Sequence, residues 1–200
     1  MDDLLLPRNG QVIALCVDLN VWVRYLLGIS RAATRQSAAA AIVEAARRGY
    51  STAGPVQLIV SHTMLSRLEE VLHRIGFPPG DASAFCSLIG AFARRGPAGV
   101  APHIVLGGGT APTAEARMPI YNPYDPTTVP PRADDEDGRV LDTAIAGRAH
   151  ILATYNFKDF TSPNTEVLTP DRVQVCRTAG HDVLIMHANV AAEFLRTGQL

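Results

Sequence analysis

The sequence predicts an α/β fold, a parallel β-sheet covered by helices on both faces. Short apolar runs rich in Val, Ile and Leu recur at 12–17, 56–60, 151–154 and 183–186, and stretches of helical composition separate them. The runs are continuous rather than alternating, the pattern of strands buried on both sides. Strands that alternate with helices pair in parallel, because each crossover returns the chain to the same edge. With 47% apolar and 18% charged residues, 200 residues supply one ordinary core and exclude wholesale disorder.

The first run, 12–17, ends on Asp18. Residues 20–28 and 34–48 have helical composition, and the second stretch, Ala-rich, closes on Arg47-Arg48-Gly49, a good helix stop. After the run 56–60, Ser61 caps a helix in which Met64, Leu65, Leu68, Val71, Leu72 and Ile75 form one apolar stripe, ended by Gly76 and Pro78-Pro79. Asp81 starts another helix, with Phe85, Leu88, Ile89 and Phe92 on one face and Arg94-Arg95-Gly96 at its end. Residues 97–133 differ, holding 8 of the 14 prolines and the triplet Gly107-Gly108-Gly109. They read as a long irregular Pro/Gly-rich insertion within a single domain spanning 1–200. The triplet follows a short apolar run at 104–106 but lacks the Lys-Ser/Thr of a P-loop, so it reads as a turn. Order resumes at Asp134. A helix over 138–148 turns Val140, Leu141, Ala144 and Ile145 inward, the strand 151–154 follows, and a strand at 183–186 and a helix near 189–197 complete the chain.

Charge and cysteine usage narrow the function class. Eighteen basic residues face 19 acidic ones, which excludes a protein that grips nucleic acid by bulk charge. The balance is uneven along the chain: residues 1–96 carry net +3 and residues 134–182 net −4. Cys16, Cys86 and Cys176 are too sparse for a disulfide framework or a zinc site and read as buried small hydrophobes. The six histidines show no metal-binding spacing. An acidic N-terminus and the lack of a long apolar run predict a cytoplasmic protein with no membrane partner.

In open parallel sheets ligands bind beyond the carboxyl ends of the strands. Acidic and amide groups occupy those ends here. Asp18 and Asn20 follow the first strand, Asn156 and Asp159 follow the strand ending in Thr154, and Asp134-Asp135-Glu136-Asp137 leads into the preceding helix. Carboxylates brought to one edge repel one another until a hard divalent cation, Mg²⁺ or Mn²⁺, lies between them.

The motifs resemble those of the PIN-domain ribonucleases, in particular the VapC-type toxins of toxin–antitoxin pairs. An apolar strand ends in Val17-Asp18-Leu19-Asn20-Val21. A helix opens with Asp137-Gly138-Arg139-Val140-Leu141-Asp142-Thr143-Ala144, and a strand closes with Thr154-Tyr155-Asn156-Phe157-Lys158-Asp159-Phe160. The resemblance runs from about residue 12 to 186, and it implies a three-layer α/β/α sandwich. It implies Mg²⁺- or Mn²⁺-dependent hydrolysis of phosphodiesters in single-stranded RNA, with Asp18, Glu70, Asp137 and Asp159 as the catalytic acids. Asp18, Asp137 and one of Asn156 or Asp159 would hold the ion, Asp159 being the acid of that pair. Asn20 would orient a carboxylate or water, Asp135 would be an extra ligand, and Asp142 would be exposed. Arg24, Arg31 and Arg35 would face the RNA backbone or plain solvent. An antitoxin partner and homodimerisation are implied in the same way.

One position departs from the pattern. The family places a Glu early in the helix after the second strand, and Arg67 stands there. At roughly 100° per residue, Arg67 flanks the stripe centred on Leu68, Glu70 lies about 60° further round on the same side, and Glu69 falls opposite. Glu70 is therefore the better stand-in. Either Glu70 reaches the ion while Arg67 steadies a substrate phosphate, or Arg67 neutralises Asp18 and Asp137 in the cation's place. The second arrangement would make the chain a non-catalytic module that binds RNA or a partner protein. A haloacid-dehalogenase-type phosphatase would need Asp at position 20, where Asn stands.

Overall fold

The computed structural model describes residues 6–7, 10–29, 37–97, 103–105, 136–160, 165–178 and 180–200. Among them, eight strands form one sheet: β1 (Ile13–Val17), β2 (Tyr50–Ser51), β3 (Gly54–Ser61), β4 (His103–Val105), β5 (Ile151–Thr154), β6 (Thr165–Thr169), β7 (Val173–Cys176) and β8 (Val183–His187). The order is β2-β3-β1-β5-β8-β7-β6, with β4 also paired to β3. The centre is parallel, β3 on β1, β1 on β5 and β5 on β8, with β4 parallel to β3. This is the predicted parallel sheet. Antiparallel pairs extend it at both sides, β2 against β3 and the β8-β7-β6 meander. The β6–β7 register shifts between Val167 and Thr169.

The helices are α1 (Leu19–Ile29), α2 (Ala38–Arg48), α3 (His62–Arg74), α4 (Pro79–Arg95), α5 (Glu136–Ala146) and α6 (Ala188–Thr197). Local chemistry sets their ends. Gly49 takes φ 69° and returns its N–H to the Ala45 carbonyl, and Ser61 Oγ accepts from the Met64 N–H at 3.2 Å. Helix α2 packs on α1, α4 and α6, α3 packs on α4, and α5 lies across β1, β3 and β5. The chain steps from β1 to β3 and β4 in one direction, then returns to β5 on the other side of β1. Right-handed crossovers in opposite directions put their helices on opposite faces, so α5 covers the face that α1–α4 leave open.

Several expectations shift. Residues 104 and 105 of the apolar run belong to strand β4, so the 97–133 segment is not wholly irregular; residues 106–135, with the Gly triplet, lie outside the described residues, as do residues 30–36. Leu88 is 48% exposed, and the buried residues of α4 are Ala82, Cys86, Ile89, Gly90 and Ala93, all small but Ile89, which lets the helix approach closely. Ile75, beyond the end of α3, is also exposed. Asp142, expected at the surface, is 4% exposed. Residues 140–144 are all buried. Five consecutive positions sweep more than one helical turn, so the middle of α5 is covered all round, by the sheet and by the 3-10 turn Phe157–Phe160 that packs on it. All three cysteines are buried, as expected. No described helix is long and apolar enough to cross a membrane.

His150 joins strands at the opposite, amino edge. Its N–H donates to the Ala14 carbonyl at 2.8 Å and its Nδ1 accepts from the Ala14 N–H at 3.0 Å. Burial, then the neighbouring His181, holds its pKa below the usual histidine value. The unfolded chain therefore binds this proton first, so the stabilisation is complete above the unfolded value of about 6.5 and is lost as pH falls from there through the lowered folded value. Thermal melting is expected to drop between pH 7 and pH 5.5, and less steeply in His150→Gln; identical slopes would assign the acid sensitivity elsewhere.

Candidate active site

The chain's return to the far side of β1 makes the carboxyl ends of β1 and β5 a topological switch point, where open α/β sheets bind ligands. Asp18 follows β1 there and is 3% exposed. Its Oδ2 accepts from the Thr154 hydroxyl and from the Asn20 amide, each at 2.6 Å. Thr154, fully buried at the end of β5, also accepts from the Asn156 N–H at 2.8 Å and the Asn20 amide at 3.2 Å. Asn20 Oδ1 in turn accepts the Tyr155 N–H at 3.1 Å. One hydroxyl thus ties the two strand ends and the first turn of α1 into a single network. Below it, buried Trp22 donates its indole N–H to the Val17 carbonyl at 3.2 Å, fixing the strand-to-helix turn that carries Asp18.

Asn156 donates its amide to Asp159 Oδ2, so the two residues alternative in the expected ligand set act as a pair. Asn156 immediately precedes the 3-10 turn that carries Asp159, and the Phe157 carbonyl of that turn accepts from the buried Gln174 side chain of β7 at 3.1 Å. Gln174 carries no expectation from the sequence, because β7 is not among the predicted strands. Thr154 stands within a predicted motif without a role of its own, although a hydroxyl at the end of a buried strand beside Asp is itself a signal.

Asp137 is partly buried in the first turn of α5. Thr143 Oγ1 lies 3.0 Å from Ser61 Oγ at the carboxyl end of β3. Six residues of helix, about 9 Å, separate Thr143 from Asp137, which places Asp137 beyond the same carboxyl edge as Asp18. Arg67, on α3, donates to Glu70 Oε2 at 2.9 Å. The arginine side chain is 19% exposed and the glutamate 63%, so Glu70 is turned outward toward its partner. Asp134, Asp135, Arg31 and Arg35 lie outside the described residues. Arg24 is exposed on α1.

No group of three or more His, Cys, Asp or Glu among the described residues is arranged to hold a metal ion. The donors present fit Mg²⁺ or Mn²⁺ nonetheless. They are all oxygen, and Mg²⁺ is commonly held by one or two carboxylates, with water and substrate phosphate completing its shell. Asp18 is such a carboxylate, set by two hydrogen bonds. Burial, then the charge of Asp18, pushes the thiol pKa of neighbouring Cys16 far up, so Cys16 stands as a neutral thiol.

Comparison with curated proteins found no match, and comparison with solved structures found none either. The family profile described as PIN domain matches residues 14–158, from within β1 to the turn that bears Asn156. That span holds Asp18, Asn20, Asp137 and Thr154 and covers more than half of the chain, which therefore belongs to the PIN-domain family.

Proposed function

We propose that the protein is a Mg²⁺- or Mn²⁺-dependent endoribonuclease that hydrolyses phosphodiester bonds of single-stranded RNA, a cytoplasmic toxin of a toxin–antitoxin pair built as one domain over 1–200. PIN domains are generally nucleases, typically bind RNA or DNA, and generally use divalent metals. The observation that carries the reading is the buried Asp18 carboxylate, fixed by Thr154 and Asn20 at the switch point. Burying a carboxylate costs stability, and one held in a set orientation at a ligand-binding edge is arranged for function. Asp18, with Asp137 and Asp159, would hold the ion. When bound, the ion would polarise water and screen charge on the phosphate oxygens. Asn20 keeps Asp18 from rotating, Asn156 steadies Asp159, and Arg67 supplies a cation to the phosphate while Glu70 backs it. The toxin role, its antitoxin and a homodimer rest on the VapC-type likeness of the three motifs.

A second reading is favoured by the Arg67–Glu70 ion pair. An arginine at the position of a metal-binding Glu lowers cation affinity, leaving a domain that binds RNA or protein without cutting.

Asp137→Asn is expected to lose Mn²⁺-dependent cleavage of a single-stranded RNA, to background; full activity in the variant sinks the nuclease assignment. Calorimetric Mn²⁺ titration separates the two readings. Affinities of wild type and Arg67→Glu within a few-fold of each other support the nuclease, and an ion bound by the variant alone supports the non-cutting module. Thr154→Val, which keeps the shape and removes the hydroxyl, is expected to cost about 1–3 kcal/mol in urea unfolding and to slow cleavage.

A further inference from the structure

The carboxyl edge carries a second constellation beside the acids, on the side of β8. His187 ends β8, and the register pairs it directly with Thr154, whose hydroxyl holds Asp18. Tyr155 follows Thr154, and its ring meets that of His187 edge to face, centroids 5.6 Å apart and planes at 89°. Arg24 lies one helical turn beyond Asn20 on α1, so both occupy one face of that helix. Its guanidinium carbon stands 4.1 Å over the centre of the Tyr155 ring. Arg172 is the fourth member, its carbonyl accepting the His187 N–H at 2.9 Å.

Four physical features mark these groups as an anion site. Arg24 and Arg172 are both exposed, and among the described residues no carboxylate forms an ion pair with either. Burial, and after it the charges of Arg24 and Arg172, lower the pKa of His187, so both cations stand close enough for the imidazole to feel them. The imidazole is also set as a donor without being charged: its Nδ1 accepts the Asn189 N–H at 3.3 Å, which leaves the proton on Nε2. Finally, Arg24 is held in place before any ligand arrives, since its contact with the Tyr155 ring restrains a side chain that would otherwise lose rotamer freedom on binding.

We propose that Arg24, Tyr155 and His187 form a docking platform for the phosphodiester backbone of single-stranded RNA, adjoining Asp18. The inference rests on the nuclease reading for the identity of the strand; it gives roles to Tyr155 and His187, which that reading does not use, and settles for Arg24 the choice between backbone and plain solvent. Arg24 and the His187 Nε2–H take phosphate oxygens, and Arg172 adds charge at the outer end. Tyr155 holds the arginine aloft. The platform joins the acidic site residue by residue, through Asn20 to Arg24 and through Thr154 to Tyr155 and His187. A strand gripped here runs along the ends of β8 and β5 and delivers a neighbouring phosphate to Asp18.

The test is binding of a fluorescein-labelled single-stranded oligoribonucleotide to the whole protein in EDTA, followed by anisotropy over a salt series. Arg24→Ala is expected to weaken binding about tenfold and to reduce the slope of log affinity against log salt by about one. His187→Ala is expected to weaken it severalfold, while Arg95→Ala, an exposed arginine at the far end of α4, binds as wild type. Arg24→Lys keeps the charge and loses the ring contact and fork, so intermediate affinity supports the platform. Wild-type affinity in both Arg24→Ala and His187→Ala, or a wild-type protein that does not bind the strand, overturns it. Cleavage is read separately with Mn²⁺. A protein that binds through Arg24 and cuts nothing keeps the platform and removes the nuclease reading; one that cuts while Arg24→Ala binds unchanged removes the platform alone.

Discussion

The hydrogen bond from the Thr154 hydroxyl to Asp18 Oδ2 is the contact on which the rest of the carboxyl edge is organised. It spans two strands that lie side by side only because the chain turned back across β1, so it reports the topology as much as it serves the site. A carboxylate that is nearly solvent-free needs donors of fixed geometry. The same hydroxyl receives the Asn156 N–H and the Asn20 amide, so displacing Thr154 would unsettle the start of α1, the Asn156–Asp159 turn and Asp18 together. Cooperative networks of this kind resist piecemeal change.

Around that contact the charges separate. Asp18 follows β1, Asp137 opens α5 and the Asn156–Asp159 pair follows β5, whereas Arg24, His187 and Arg172 stand toward β8. A near-neutral protein can thus present an acidic centre and a basic flank within a few residues of each other. Arg67 departs from this division, standing on α3 with Glu70 as its partner. Its place in the family pattern belongs to an acid, and the ion pair it makes offsets the change in charge locally.

Much of this was legible in the chain because it is written in local patterns. The continuous apolar runs marked the parallel centre of the sheet, and Gly49 and Ser61 marked helix ends through chemistry confined to a few residues. Asp18 was found because it closes a buried strand. The misses share a cause. Strands β6 and β7 are five and four residues long, and β6 is held at an edge by backbone pairing rather than by a buried face. Asp142 is buried on a helix packed by both the sheet and a turn 15 residues further on, and Leu88 is exposed while Ala82 and Ala93 lie on the buried side of α4, outcomes set by tertiary packing rather than by the local pattern. Within the site, Thr154, Tyr155 and His187 acquire meaning only through cross-strand register, which no single segment encodes.

The shift of register in the β6–β7 pair also bears on how the protein behaves in a crowded solution. Strand β6 ends the sheet, and an outermost strand offers unpaired backbone groups to any other chain. The bulge between Val167 and Thr169 twists that rim out of plane, and the Glu166–Arg177 ion pair places charge along it. A second sheet cannot continue the ladder without straightening the one and desolvating the other. The meander that anchors Gln174 beneath the acidic turn therefore also disfavours growth of the sheet at the β6 edge, through the register shift in β6 and the charges of Glu166 and Arg177.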